Sequence, residues 1–255
     1  MIIVLSPAKS LNYEVEDRNV RNTRPKFVEE ASNLVDVLKK YKQNELEKLM
    51  NISPSLAELN RDRFQNWKPE FKKPHARPSV LVFDGDVYTG LNAGQFTDDE
   101  LSYAQDHLRI LSGMYGVLRP MDNIRPHRLE MGTKLRVNGY RNLYEFWDGK
   151  ITEEINKAIK ETKSKYLINL ASNEYFKSIK SKNLKAPVVT PVFKENKGGQ
   201  FKVVSFFAKK ARGLMSAFII KNQIKDPEEL KAFDEEGYIF NEQLSNKKTL
   251  TFTRG

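Results

Sequence analysis

The segment "SFFAKKARGLM" places three cations together without an acidic residue. Lys209, Lys210 and Arg212 follow an apolar run that predicts a strand. The helix predicted to begin at Ala208 would carry all three cations in its first turn. The N-terminus of a helix has unpaired N–H groups and a partial positive charge, and therefore favours acidic residues. Cations at this position predict binding of an external anion, and a phosphate is the ligand that such a site favours.

The positive charge of the chain is concentrated around this segment. The 255 residues carry a net charge of +10, and residues 176–225 contain twelve lysines or arginines but only one acid, Glu195. The remainder of the chain is therefore close to neutral. This distribution predicts a surface for a phosphate or a polyanion. A solvated lysine-rich face is the alternative, and it is preferred for the lysines between positions 180 and 185.

Polar side chains also follow four other apolar runs. In α/β sheets, ligands bind beyond the carboxyl ends of the strands, so these junctions predict one shared crevice if the strands are neighbours. The predicted crevice residues are Lys9, Asp84, Asp86, Tyr88, Tyr115, Arg119, Lys177, Lys209, Lys210 and Arg212. Arg128 is a further phosphate candidate, because Pro126 gives its loop a rigid turn. Arg125 is equally consistent with a structural ion pair and with phosphate contact.

Three carboxylates are candidates for catalysis in the same crevice: Asp84, Asp86 and Glu174. A carboxylate beside lysines can act as a general base, and Tyr88 or Tyr115 could stack on a base. Asp84 and Asp86 also form a D-x-D, which can hold magnesium. A turn around Gly85 is the favoured interpretation of that motif. No metal and no cofactor is predicted.

The pattern of apolar residues predicts an α/β fold, with one mixed-sheet domain over residues 1–255 and flanking helices. Strands are predicted at 2–5, 79–83, 108–113, 166–170, 186–193 and 201–207, and residues 247–255 resemble an edge strand. Helices are predicted at 27–42, 97–107 and 152–162, with caps at Thr97 and Ser172 and a last helix opening at Asp226. Residues 12–25 are predicted to be a loop.

Residues 27–66 are predicted to form a helical insertion after the first strand. Within it, short helices at 45–50 and 54–64 flank the turn Asn51-Ile52-Ser53, which is similar to a helix-hairpin-helix DNA-binding element. In that element the hairpin N–H groups face a phosphate, and Arg61 and Arg63 could reach a DNA backbone. A plain helical hairpin covering the sheet is the alternative.

The composition excludes several classes of protein. The chain has no cysteine, which rules out disulfides and thiolate metal sites and indicates a reducing cytoplasm. No apolar run approaches a membrane span, and the N-terminal run is too short for a signal peptide. The three histidines lack the spacing of metal ligands, and neither a Walker loop nor a dinucleotide-binding motif is present.

Several long segments together resemble the YaaA family of peroxide-stress-resistance proteins. They are "LSPAKSL", "FDGDVYTGL", "HLRILSGMYGVLRPMDNIRPHRLEMG", "NLYEFW", "INLASNEYFKS" and "SFFAKKARGLM". The resemblance implies a cytosolic bacterial protein that limits the damage done to DNA by free iron and hydrogen peroxide. It also implies an unusual α/β fold, a positively charged cleft, a helix-hairpin-helix and binding to duplex and irregular DNA. Asn51 and Ser53 depart from the usual hairpin glycines.

Three hypotheses of function follow. The first is a DNA-binding protective protein that contacts mainly backbone phosphates. The second is an enzyme acting on a nucleotide or a nucleobase in the same cleft. The third is a regulator whose basic face meets an acidic protein.

Overall fold

The computed structural model describes residues 1–15 and 22–255. The strands are β1 Ile2–Leu5, β2 Ser10–Leu11, β3 Arg77–Pro78, β4 Phe83–Asp84, β5 Leu108–Ser112, β6 Gly116–Leu118, β7 Asn123–Ile124, β8 Leu167–Leu170, β9 Val188–Lys197, β10 Gln200–Lys202, β11 Ile239–Phe240 and β12 Thr249–Arg254. The α-helices are α1 Val28–Leu38, α2 Gln43–Met50, α3 Pro54–Gln65, α4 Ser79–Val82, α5 Asp86–Leu91, α6 Asp98–His107, α7 Leu143–Phe146, α8 Lys150–Glu161, α9 Asn173–Phe176 and α10 Ser205–Lys221. Short 3-10 helices cover Ala93–Gln95, Ser181–Asn183, Pro227–Ala232 and Glu235–Gly237.

One mixed sheet of eight strands organises the fold. Its order is β11-β12-β9-β8-β1-β5-β6, and β10 folds back on the far end of β9. The strands β5, β1, β8, β9 and β12 are parallel, whereas β6, β10 and β11 run antiparallel to their neighbours. The predicted α/β class with a mixed sheet is therefore confirmed. Two small ribbons, β2–β4 and β3–β7, lie outside this sheet.

The central strands are apolar because they are buried. All four residues of β1 and all four of β8 are buried, as expected for parallel strands that are covered on both faces. One cluster of buried side chains extends from Met1 to Phe252 and includes residues of α1, α2 and α3. Among the described residues, no helix has the length and apolarity needed to cross a membrane.

Two predicted helices form as their sequences indicate. Helix α6 begins with a capping box, in which the Thr97 hydroxyl accepts from the Glu100 N–H (3.2 Å) and the Glu100 carboxylate accepts from the Thr97 N–H (2.8 Å). Helix α1 buries a stripe at helical spacing that includes Ala31, Leu34 and Val35.

The prediction of a strand at residues 79–83 is wrong. The segment forms the single turn α4, and only Phe83 continues into β4. The N–H groups of Ser79 and Val80 donate to the carbonyls of Asp122 and Pro120, at 2.9 and 3.1 Å. The N–H of Phe83 then closes a helical turn on Ser79. The apolar run therefore reflects burial and does not indicate a place in the sheet.

The strand predicted at residues 201–207 is also shorter than expected. Strand β10 ends at Lys202, and α10 begins at Ser205, with its first bond from the Ala208 N–H to the Val204 carbonyl at 2.9 Å. Burial does not alternate along this segment, since Val203 and Phe206 are both exposed. Helix α10 therefore starts one turn before Ala208, and the three cations do not occupy its first turn.

Two smaller differences concern the ends of the chain. Strand β12 lies between β9 and β11, so it is not the edge strand that its alternating pattern suggested. The helix opened by Asp226 is the 3-10 segment Pro227–Ala232, with the predicted cap. The loop predicted at residues 12–25 lies partly outside the described residues.

Candidate functional site

The carboxyl ends of β1 and β8 are joined by a pair of serines. The Ser6 hydroxyl donates to the Ser172 hydroxyl at 3.3 Å and accepts the Ser172 N–H at 2.8 Å. Tyr88 of α5 donates to the Ser6 carbonyl at 3.0 Å. Ser172 occupies the predicted N-cap position of α9, but its hydroxyl makes no cap hydrogen bond and instead accepts from Ser6. These contacts bring β1, β8 and α5 to one edge of the sheet.

A shared carboxylate fixes two of the predicted phosphate ligands at this edge. Glu130 accepts from Lys9 at 3.3 Å and from Arg128 at 3.0 Å. The Lys9 side chain remains largely exposed, whereas that of Arg128 is mostly buried. The Arg128 Nε has no hydrogen-bond partner among the described residues. Glu130 thus holds both cations in place.

The D-x-D motif lies on the same side of the molecule. Asp84 is exposed in β4 and pairs with Ser10, the neighbour of Lys9. Gly85 has a φ of 155° and forms the tight turn into α5. Asp86 opens α5, and its carboxylate lies 3.9 Å from the Lys209 Nζ. Within residues 1–15 and 22–255, no group of three His, Cys, Asp or Glu side chains is placed to hold a metal.

Glu174 supports a loop in this structure. Its carboxylate accepts the Gly132 N–H at 2.8 Å, and its carbonyl accepts the Tyr144 hydroxyl at 3.0 Å. Both contacts fix the position of the segment after Arg128. The structure therefore gives the predicted catalytic residue Glu174 a positioning role.

A close helix crossing sets the distance between α5 and α10. The two helices meet at Gly90 and Gly213, where a Cβ atom would lie 2.2 Å from the Lys210 carbonyl and 1.9 Å from the Val87 carbonyl, respectively. Only glycine permits this approach. The crossing brings Asp86 on α5 beside Lys209 on α10.

Arg212 lies next to this crossing and is half-buried. Burial lowers the pKa of its guanidinium, and none of the described residues forms an ion pair with it. Lys210, in contrast, forms an ion pair with Glu236, which also binds Arg254. Of the three cations in "AKKARG", Lys209 has a weak carboxylate contact, Lys210 is paired and Arg212 is unpaired.

Lys177 borders an open groove lined by aromatic and charged side chains, named here the aromatic groove. Its volume is about 650 Å³, and its lining residues include Tyr140, Tyr144, Phe146, Lys150, Lys177 and Lys180. The Lys177 Nζ lies 5.2 Å from the centre of the Tyr144 ring, and the Lys150 Nζ lies 5.0 Å from that of Phe146. The signal that could have predicted the groove is the aromatic-rich segment "YRNLYEFW".

The two predicted stacking tyrosines are not available to a base. Tyr115 is completely buried, and its hydroxyl accepts from Trp67 at 3.1 Å and from the Arg125 N–H at 3.3 Å. Tyr88 is also buried and holds the Ser6 carbonyl. The polar ends of both rings are satisfied inside the protein, so their role here is structural.

Arg119 is not in the predicted crevice. Strand β6 runs antiparallel to β5, so Arg119 follows Leu118 back toward the amino-terminal half of β5. Its guanidinium binds Asp122 at 3.0 and 3.3 Å. Arg125 donates to the carbonyls of Glu70 and Asn66, so it anchors a neighbouring loop.

The helical hairpin forms between α2 and α3, while its contact with DNA stays a prediction. Asn51 adopts the left-handed conformation (φ 51°) that a hairpin glycine would provide, and Ser53 caps α3 by accepting from the Leu56 N–H. Ile52 packs against the core. Arg61 is exposed, and burial lowers the pKa of the half-buried Arg63.

His127 is a buried titratable group that the sequence did not single out. Its Nδ1 donates to the Arg125 carbonyl at 2.8 Å, and its ring meets Tyr115 edge-on. It borders a small pocket together with Ser112, Arg128 and Glu130. Burial lowers the pKa of His127 to about 4, which leaves the imidazole neutral at pH 7.

We expect the stability of the fold to decrease between pH 6.5 and pH 4 because of His127. Unfolded histidine has a pKa of about 6.5, so over this range the unfolded chain binds a proton that the folded chain does not. The free energy of unfolding should be lower by about 3 kcal/mol near pH 4. Urea denaturation of the wild type and His127→Gln across this range measures it. The variant should show a flatter profile, and His75→Gln, at an exposed position, should match the wild type. Parallel profiles for all three proteins would contradict the prediction.

Comparison with known proteins assigns the chain to a family. A family model described as "Peroxide stress protein YaaA" matches residues 1–244. A UPF0246 protein of Saccharophagus degradans is 53% identical over 254 residues, covering 100% of this chain and 99% of the relative. UPF0246 proteins of Teredinibacter turnerae and of Aliivibrio fischeri strain MJ11 are 51% and 50% identical and cover 99% and 98% of their own lengths. The chain therefore belongs to the family of the peroxide stress protein YaaA.

Proposed function

We propose that the protein binds nucleic-acid phosphates at the carboxyl edge of its sheet and protects DNA during peroxide stress. The residues that would do so form what we name the strand-end cluster: Ser6, Lys9, Asp86, Arg128, Glu130, Ser172 and Lys209. The observation that carries the proposal is that cations in and beside this cluster lack a carboxylate partner or are exposed to solvent. Arg212 has no carboxylate partner among the described residues, and Lys9 and Lys209 are mostly exposed. Such groups favour an anion that arrives from solution.

The aromatic groove supports nucleic acid as the source of that anion. Its tyrosine Tyr144 contacts Glu174, whose carboxylate in turn holds the loop after Glu130, so the groove adjoins the strand-end cluster. Tyr140 is 43% exposed. Exposed aromatic rings beside lysines suit unpaired bases, because a base gains about 1–3 kcal/mol by stacking on such a ring. We therefore propose that DNA with single-stranded segments is the preferred form.

This preference predicts a selective effect of Tyr140→Ala. We expect the variant to bind a single-stranded oligonucleotide about tenfold more weakly, because it loses one stacking platform. Its affinity for a duplex of the same length should stay within about twofold. Fluorescence anisotropy at three salt concentrations measures both affinities. Tyr166→Ala serves as the matched control, since Tyr166 precedes β8 at the opposite edge of the sheet. Equal losses for both DNA forms, or no DNA binding by the wild type at low salt, would reject the proposal.

A second candidate is an enzyme that acts on a nucleotide or nucleobase in the same cluster. The contact between Asp86 and Lys209 favours it, because a carboxylate beside an ammonium can exchange a proton with a bound substrate. Asp86→Asn separates the two functions. A catalytic role requires the variant to keep DNA affinity and to lose turnover of a nucleotide panel, as followed by chromatography. Full activity of the variant would eliminate Asp86 as the base.

A further inference from the structure

A second basic pocket lies beside β5 and β6, away from the strand-end cluster. It is named here the Arg109 pocket, and its volume is about 250 Å³. Five cations border it: Arg24, Lys26, Arg109, Arg119 and Lys157. Arg109 belongs to β5, Arg119 follows β6, Lys157 lies on α8, and the other two precede α1. None of these residues borders the small pocket at the carboxyl edge of the sheet.

Arg109 is the unusual member of this group. It is only 5% exposed, yet the described residues form no ion pair with it. Its Nη1 donates to the carbonyls of Gln105 and Leu108, at 3.0 and 2.8 Å, whereas its buried Nε has no hydrogen-bond partner. Burial, together with the nearby charge of Arg119, lowers the pKa of the Arg109 guanidinium. A buried charge without a partner is costly, so the site favours an incoming anion.

The two carboxylates of the pocket do not satisfy this charge. Asp122 accepts from the guanidinium and the N–H of Arg119 and from the Thr23 hydroxyl. Glu154 borders the pocket and favours the charged form of Arg109, but it lies beyond ion-pair distance. Among the described lining residues, five cations therefore face two carboxylates.

We propose that the Arg109 pocket binds a phosphate dianion, either as free phosphate or as the terminal group of a small phosphorylated molecule. Guanidinium groups carry donors that match the oxygens of a phosphate, and three arginines, Arg24, Arg109 and Arg119, border the pocket. The lysines Lys26 and Lys157 complete the charge at the exposed rim. The site is independent of the DNA-binding proposal, since it shares no residue with the strand-end cluster.

The test is a calorimetric titration of the full chain with inorganic phosphate, and separately with a nucleoside monophosphate, at low ionic strength and pH 7.5. We expect saturable binding at one site. Lys26→Gln combined with Lys157→Gln should weaken it about tenfold or more, since two charge-assisted contacts are lost. Both lysines are exposed, so this variant should keep the fold. Lys160→Gln, one turn along α8 from Lys157, should change the affinity by less than twofold.

Further variants locate the bound ion. Arg109→Met should abolish the binding of phosphate, and Lys9→Gln combined with Lys209→Gln should leave it unchanged. Tight binding of inorganic phosphate alone would identify the free ion as the ligand, and tighter binding of the monophosphate would identify a phosphorylated molecule. Non-saturable binding, or loss of binding only in the Lys9 and Lys209 variant, would overturn the proposal. Loss of DNA affinity in the Lys26 and Lys157 variant, without any phosphate binding by the wild type, would also overturn it.

Discussion

Gly213→Ala should destabilise the protein by about 3 kcal/mol, even though alanine is the better helix former. The new Cβ would lie 1.9 Å from the Val87 carbonyl and 2.6 Å from the Leu91 N–H, both of which are backbone atoms of α5. Neither can move without displacing that helix, and overpacking of this kind typically costs about 1–3 kcal/mol or more. For a chain of this size, the melting temperature should fall by about 6–12 °C.

The sign of the effect makes this prediction decisive. Helix propensity alone predicts that alanine stabilises an interior helical position by about 1 kcal/mol relative to glycine. Packing at the α5–α10 crossing predicts the opposite. Gly90→Ala should behave like Gly213→Ala, because its Cβ would meet the Lys210 carbonyl at 2.2 Å. Gly94→Ala is the control, since its Cβ would have no atom of residues 1–15 or 22–255 within 4 Å. A Gly213→Ala variant at least as stable as the wild type in urea denaturation would show that the helices do not cross as described.

The crossing also has a functional consequence, because it sets the position of the cations. Asp86 and Lys209 lie on the two crossing helices, and Arg212 directly precedes Gly213. A displaced α10 should therefore weaken DNA binding as well as stability. The sequence showed both glycines, but the contact between them depends on two segments more than 120 residues apart.

The elements that could be predicted from sequence are those with a strong local signal. Strands β1 and β8 appear as short continuous apolar runs, because parallel strands are buried on both faces. Helix α6 has a capping box at Thr97 and Glu100 that depends on only four adjacent residues. Adjacent residues determine both kinds of element, so both can be predicted without the tertiary structure.

The predicted elements differ from the structure where distant segments determine the local backbone conformation. Residues 79–83 are apolar because they are buried, but backbone carbonyls of Pro120 and Asp122 draw them into a helical turn. The predicted start of α10 is a turn too late, because the exposed Val203 and Phe206 resemble strand residues. The three cations therefore lie beyond the first turn of the helix, although Arg212 still has no ion-pair partner among the described residues.

Some of the predicted crevice residues lie at one edge of the sheet, and their role in binding stays a prediction. The parallel sheet brings polar side chains together at the ends of β1 and β8. Lys9 precedes Ser10, which pairs with Asp84. Asp86, two residues further along, contacts Lys209. Two other residues were misplaced for physical reasons. The reversal of β6 carries Arg119 away from this edge, and the hydrogen bond from Trp67 allows Tyr115 to be buried. Neither effect is visible in the spacing of residues along the chain.

Neutralising three lysines near the strand-end cluster should produce the largest functional loss. Lys9, Lys177 and Lys209 are exposed, so replacing each with glutamine should leave the fold intact. If each lysine contacts one phosphate of a single strand, the slope of log affinity against log salt should become less steep by about 2. At a salt concentration of 0.1 M, the affinity should fall about a hundredfold.

A matched variant controls for the change in net charge. Lys160, Lys221 and Lys225 are also exposed, and Lys221 lies at the opposite end of α10 from Lys209, about 18 Å along the helix axis. Replacing these three lysines with glutamine removes the same charge from other parts of the surface. Such a variant should lose only the weak, long-range part of the attraction to DNA.

The salt dependence of DNA affinity, compared between these two triple variants, tests the central claim most directly. We predict that the Lys9, Lys177 and Lys209 variant loses about 2 units of slope and that the control variant keeps the slope of the wild type. Equal slopes for the two variants would contradict the account, because the phosphates would then not be bound at the carboxyl edge of the sheet.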